Sequence, residues 1–199
     1  MRLKSVMAVC KDAKNIRLYD VLDGEGCVHQ WLGNGIACYP IDNLPYMGLD
    51  NILNLFDLSG KALEKWSYRH CDAEETDGIG IDFSDPKNED EILKPFDLTV
   101  NFGGRCLVAL RAVDGRVIFI GEELLKPIIH VIDDTSFHER RRPDGTSYVI
   151  ASTGFLISAV LMPSMKWKNE YFVEQLDDLC RVVCRTRELE GESWKREDE

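Results

Sequence analysis

The sequence predicts an α+β fold built on an antiparallel β-meander, and three observations carry that expectation. Leu98-Thr99-Val100-Asn101-Phe102 alternates apolar and polar residues, the period of a half-buried strand. Gly103-Gly104 and Asp114-Gly115 then stand as two-residue turns between β-rich runs, a pattern that folds a chain back and forth. Helical periodicity is confined to short inserts and the C-terminal end, so hairpins do not alternate with long helices as they would in a βαβ fold.

The elements follow in order. Ile16 to Leu22 reads as a strand, with Asp23-Gly24 and Gly26 as a turn into a second strand, Cys27 to Leu32. Asn34-Gly35 fits a type I′ hairpin with positive φ at both positions, returning along Ile36 to Tyr39. Asp50 can cap a short helix reaching Phe56, and Ser59 a second reaching Glu64; Trp66 to His70 is extended. The meander spans residues 98 to 120. Glu122 to Val131 is a short helix limited by Pro127. His138 to Arg142 and Ser147 to Ala151 flank the turn Pro143-Asp144-Gly145, and Phe155 to Met162 is a last strand. Glu170 to Glu188 is an amphipathic helix with Phe172, Leu176, Leu179, Cys180 and Val183 on one stripe. Residues 1–190 thus form one domain and residues 191–199 a frayed polar tail.

Of the 199 residues 44% are hydrophobic and 30% charged, an ordinary globular composition. At this length a chain buries roughly 70% of its unfolded surface, enough for a core without staples. Nothing approaches a membrane span, and the apolar run at the start is too short for a signal peptide, so a cytoplasmic location is expected. Seven cysteines without a C-x-x-C pair suit reduced core thiols. The net charge of -11 is concentrated between Asp72 and Glu91, where nine acids face only Lys87. That segment, about 72–92, reads as a solvated acidic loop attached to a nearly neutral body. Duplex nucleic acid as a direct ligand is disfavoured, since phosphate binding needs a basic stripe.

The motif search leaves no catalytic or metal centre. Aligning Glu75, Asp77 and Gly78 with an EF-hand loop puts Ala73 and Ser84 where Asp and Glu are required. Gly33-Asn34-Gly35 lacks the Lys-Ser/Thr of a phosphate loop. His70 beside Cys71 is a weak dyad next to acids that would raise a thiol pKa. His138-Glu139 beside Arg140-Arg141-Arg142 could grip an anion, although a solvated hairpin arm that blunts a strand edge is favoured. Trp31 to Tyr46, with its aromatics and prolines, is either a recognition surface or loop packing. The binding candidates are therefore Trp31, Asn34, Tyr39, Tyr46, Arg105, Glu139 and Arg140.

The stretch Trp31-Leu32-Gly33-Asn34-Gly35 through Tyr39-Pro40-Ile41-Asp42-Asn43-Leu44-Pro45 resembles a segment of uncharacterised proteins encoded by phages and prophages of Clostridia-like bacteria. So do Gly104 to Leu110, Gly115 to Ile120, and the pattern of Glu139, Arg140, Gly145, Tyr148, Ala151, Gly154 and Ala159 to Pro163. The resemblance covers most of residues 30 to 180. It implies a phage setting and a small accessory protein that works by binding, with no activity attached. The expected function is a non-enzymatic accessory protein that binds a host or phage protein, a defence component among the options. A sponge or sensor for a nucleotide-like ligand, drawing on Arg105, Arg140 and Trp31 and often a symmetric homo-oligomer, is the first alternative. A hydrolase with an unrecognised site is the second. No cofactor is expected, and binding is favoured over catalysis.

Overall fold

A computed structural model describes residues 2–42, 44–58 and 60–164, with residues 175, 178, 179, 181, 182 and 185. The elements are α1 (Leu3–Ala13), β1 (Asn15–Leu22), β2 (Val28–Gly33), β3 (Ala37–Pro40), α2 (Leu49–Leu55), β4 (Ser67–Cys71) and α3 (Ala73–Asp77). The chain continues through β5 (Glu91–Phe102), β6 (Arg105–Arg111), β7 (Val117–Gly121), α4 (Glu122–Leu125), β8 (Thr135–Arg141), β9 (Ser147–Thr153) and β10 (Leu156–Leu161). Two 3-10 segments, Gly60–Lys65 and Lys126–Asp134, complete it.

All ten strands join one mixed sheet in the order β4-β1-β2-β3-β10-β9-β8-β5-β6-β7. The pairings are antiparallel except that β4 lies parallel to β1. The meander β5-β6-β7 forms as the alternation predicts, and Gly103 and Gly104 turn it with φ of +58° and +77°. Its second turn is a three-residue loop instead of the expected two. Ala112 N–H donates to Arg116 O at 2.9 Å, Gly115 N–H donates to Ala112 O at 3.1 Å, and Gly115 takes φ +88°. The Asp23–Cys27 and Arg142–Thr146 loops repeat that bonding with Gly26 and Gly145 in the left-handed position, which glycine adopts without the strain that a side chain would bring.

One departure concerns Asn34. Its backbone is not left-handed; only Gly35 is, at φ +88°. The side chain turns the hairpin instead, because Asn34 Oδ1 accepts from Ile36 N–H at 3.1 Å and Ala37 N–H at 2.9 Å. A second departure is α1, an N-terminal helix that the sequence reading left as an unassigned apolar run. Val6, Val9 and Cys10 fall at helical spacing and are buried. The short helices come close to expectation, α2 starting after Gly48 rather than at Asp50. Most of the amphipathic helix expected at Glu170–Glu188, together with the 191–199 tail and Ser59, lies outside the described residues. No described helix is long and apolar enough to cross a membrane.

The two faces of the sheet are covered differently. One face packs against α1, α2, α4 and the second 3-10 segment around Leu18, Leu32, Tyr39, Val149 and Leu161. Leu110, Ile118 and Ile120 from the far end of the strand order join that same cluster. Ser164, three residues after β10, donates its N–H to Phe119 O of the edge strand β7 at 2.8 Å. Strand β10 stands five places from β7 in the order, so the sheet coils strongly and brings its edge back toward its middle. The opposite face carries a smaller apolar cluster of Tyr19, Trp31, Cys38, Tyr148, Ile150 and Val160.

Candidate binding groove

The acidic segment covers that second face. It is not a solvated loop. Asp72 caps α3, its Oδ1 accepting from Glu75 N–H at 2.9 Å, and Glu74 and Glu75 sit in the first turn where the helix dipole favours them. Thr76 is buried, with Oγ1 donating to Cys71 O at 3.2 Å. Beyond α3, Ile79, Ile81 and Phe83 alternate with glycine and aspartate and pack onto the cluster. The Phe83 ring centroid lies 4.9 Å from that of Trp31 and 6.5 Å from that of Tyr19. Asp82 N–H donates to the Tyr148 hydroxyl at 3.0 Å. Residues 79–90 therefore form a strap across the sheet.

Arg140 ties the strap down. Its Nε donates to both Asp90 carboxylate oxygens at 2.8 and 2.9 Å, and Nη2 to Asp90 Oδ2 at 2.7 Å. Nη1 donates to the carbonyls of Asp82 at 3.0 Å and Ser84 at 2.9 Å, and Nη2 also to that of Asp85 at 2.8 Å. The side chains of Arg140 and Asp90 are each 6% exposed. All five guanidinium N–H groups are thus engaged within the chain. Lys87 Nζ adds a bond to Asp82 Oδ2 at 2.6 Å. Burial opposes ionisation of Asp82, but the bonds from Lys87 and Ser84 and the field of Arg140 outweigh it and hold the carboxyl at about 2. Asp90 behaves likewise: burial pushes its pKa up, Arg140 pulls it down further, and the net shift is downward.

Gly80 fixes where the strap crosses. It takes φ +67°, and a Cβ there would lie 3.0 Å from Pro143 Cδ in the β8–β9 loop. A groove of about 1730 Å³ opens beside this crossing. Val21, Trp31 and Ile157 of the sheet and Ile81 and Phe83 of the strap give it apolar lining. Its acids are Asp23, Asp42, Glu74, Asp77, Asp82 and Asp85, against Arg141 and His29. His29 is clasped between two of them, Nε2 3.1 Å from Asp23 Oδ2 and Nδ1 3.2 Å from Asp42 Oδ1. Those two bonds, Asp23 first, raise the histidine pKa. Asp82 is matched by Lys87 and Arg140. Among the described residues, the carboxylates of Glu74, Asp77 and Asp85 have no cation within salt-bridge distance.

The predicted site residues do not converge. Trp31 lines the groove and Arg140 anchors its strap. Asn34 is consumed by its own hairpin turn. Tyr39 points to the opposite face, fully buried, and its hydroxyl donates to Leu124 O at 2.6 Å. Tyr46 is exposed, its hydroxyl 2.9 Å from Asp20 Oδ2. Asp20 is buried and also accepts from Gln30 Nε2 at 2.9 Å, with His70 Nε2 at 3.0 Å off the direction of a hydrogen bond. Arg105 stands at the β5–β6 turn, six places from Trp31's strand in the sheet order, with Glu123 4.0 Å away.

The solvated-arm reading of His138 to Arg142 also fails. Strand β8 is internal to the sheet between β9 and β5, and the Glu139 side chain is 2% exposed. Arg116 Nη1 donates to Glu139 Oε1 at 3.2 Å, and Ser147 Oγ to the same oxygen at 2.5 Å. Burial raises the Glu139 pKa and these partners lower it further, so the acid stays ionised. The His70–Cys71 dyad dissolves because neighbours on a strand point to opposite faces; Cys71 belongs to the groove-side cluster and burial pushes its thiol up.

The sequence reading missed Phe83, Ile81 and Tyr148. The signal was present as a period of two, Ile79-Gly80-Ile81-Asp82-Phe83, inside the acidic run. The thiols divide as well: Cys10, Cys38 and Cys71 are buried, whereas Cys27 is exposed at a turn. No described group of three or more His, Cys, Asp or Glu residues is arranged to hold a metal ion. No protein-family model matches the chain, and comparison with curated proteins and with solved structures returns no match.

Proposed function

We propose that this chain is a non-enzymatic binding protein of the phage-accessory kind, acting in the cytoplasm of a bacterial host, that captures a segment of a protein partner in the groove beside the strap. The observation that carries the reading is the groove itself: about 1730 Å³, apolar in lining and open to solvent. Small-molecule sites run to roughly 300–1,000 Å³ and enclose most of their ligand. A trough beyond that range suits a stretch of polypeptide. The apolar floor supplies the area on which a few anchoring side chains can be desolvated. Exposed Leu22 and Leu156, 54% and 69% accessible, extend it at the rim. A nucleotide sponge would need cations converging on an aromatic; Arg140 beside this face is saturated by the strap, and Arg141 stands against six acids along the lining.

Native mass spectrometry of the protein purified from a bacterial host tests the reading. The expected result is a stoichiometric complex with a second polypeptide, lost when Leu22→Ser and Leu156→Ser are combined. A bound mass of a few hundred daltons in place of a polypeptide would favour the small-molecule alternative. A polypeptide complex that survives the double substitution moves the interface away from the groove.

A further inference from the structure

The groove's charge specifies its occupant more narrowly, an inference that rests on the groove being a protein-binding site. We infer that the captured segment is amphipathic and basic, presenting lysine or arginine on one side and apolar residues on the other. The unmatched carboxylates of Glu74, Asp77 and Asp85 all line the groove on the α3–strap side. The other three acids are already committed, Asp23 and Asp42 to His29 and Asp82 to Lys87 and Arg140. Arg141 is the one lysine or arginine among the described lining residues. Among the described residues, the lining therefore presents three carboxylates without a salt-bridge partner, against a single arginine, beside an apolar floor of Trp31, Ile157 and Phe83.

An extended chain points successive side chains to opposite sides. Laid along this trough, a segment of period two sets apolar residues against the floor and basic ones toward the carboxylates. An acidic segment would meet like charge, which costs affinity and slows encounter.

The probes are three fluorescein-labelled twelve-residue peptides, alternating leucine with lysine, serine or glutamate, titrated by anisotropy against the full chain. The lysine peptide binds best, and its affinity falls severalfold as salt rises and screens the carboxylates. Neutralising the wall with Glu74→Gln, Asp77→Asn and Asp85→Asn, changes at exposed positions, reduces its affinity about tenfold. The charge-reversing variant Glu74→Lys, Asp77→Lys, Asp85→Lys inverts the preference toward the glutamate peptide. Equal binding of all three peptides overturns the basic-segment inference while leaving the groove reading intact. Failure of every peptide to bind, or binding unaffected by Leu22→Ser with Leu156→Ser, removes the groove reading itself.

Discussion

Replacing Arg140 with methionine tests the strap most severely. Methionine keeps the volume of the side-chain stem and removes every donor. The Asp90 carboxylate, 6% exposed, then loses its bidentate partner, and the carbonyls of Asp82, Ser84 and Asp85 lose theirs. Breaking a buried pair by removing one partner costs about 3–5 kcal/mol when the remaining charge stays buried. Here the strap can lift and hydrate that charge, so undocking limits the penalty. Ile79, Ile81 and Phe83 are only partly buried, worth about 1 kcal/mol each at half of a full side-chain burial. So little apolar burial holds the strap that it undocks without Arg140. The expected result is a loss of about 3 kcal/mol in urea unfolding and rapid proteolysis near Ser84–Glu89, with β6 and β7 still intact. Pairing the substitution with Asp90→Asn in a double-mutant cycle should give a coupling of about 2 kcal/mol. An unchanged urea midpoint, or a strap as protease-resistant as wild type, refutes the reasoning.

Three further outcomes follow from the same structure. Tyr39→Phe leaves Leu124 O without its 2.6 Å donor in the core and should cost about 1–3 kcal/mol by urea unfolding. Gly33→Ala places a Cβ 1.9 Å from Ala37 O, so the β2–β3 hairpin has to deform; thermal melting should show a loss larger than that of Tyr39→Phe. Acidification should release the strap, because the Asp82 and Asp90 pKa values are depressed in the folded state. Their contribution is complete above the ordinary carboxylate value of about 4 and is lost as pH falls through the depressed values, that of Asp82 lying at about 2. The His29 clasp runs the other way, its raised pKa adding stability at low pH that disappears on alkalinisation. A pH titration of Trp fluorescence, in wild type and in Trp31→Phe to isolate that ring, reads the strap directly.

Local chemistry made part of this fold legible. Glycines at Gly26, Gly103, Gly104, Gly115 and Gly145 all adopt positive φ, and a residue needed for its backbone freedom announces a turn from sequence alone. The alternation from Leu98 to Phe102 announced the meander for a similar reason. Partners distant along the chain left no such mark. Nothing around Ser67–Cys71 signals parallel pairing with β1, since five residues carry no record of strand direction. Arg140 looked like a free cation because Asp90 and the strap carbonyls lie 50 to 58 residues away. The acids from Asp72 to Glu91 read as solvation because their number hid three apolar side chains at period two. Trp31 lines the groove, but its partners Phe83 and Tyr148 come from segments that only the folded sheet brings together.

Hydrogen exchange across residues 79–90 tests most directly whether the acidic segment is a docked wall of a binding groove. In the free protein these amides, Asp82 N–H above all, should exchange far more slowly than an unstructured chain, and more slowly still when the lysine–leucine peptide is bound. Exchange at random-coil rates in the free protein, or protection unmoved by the bound peptide, would contradict the account.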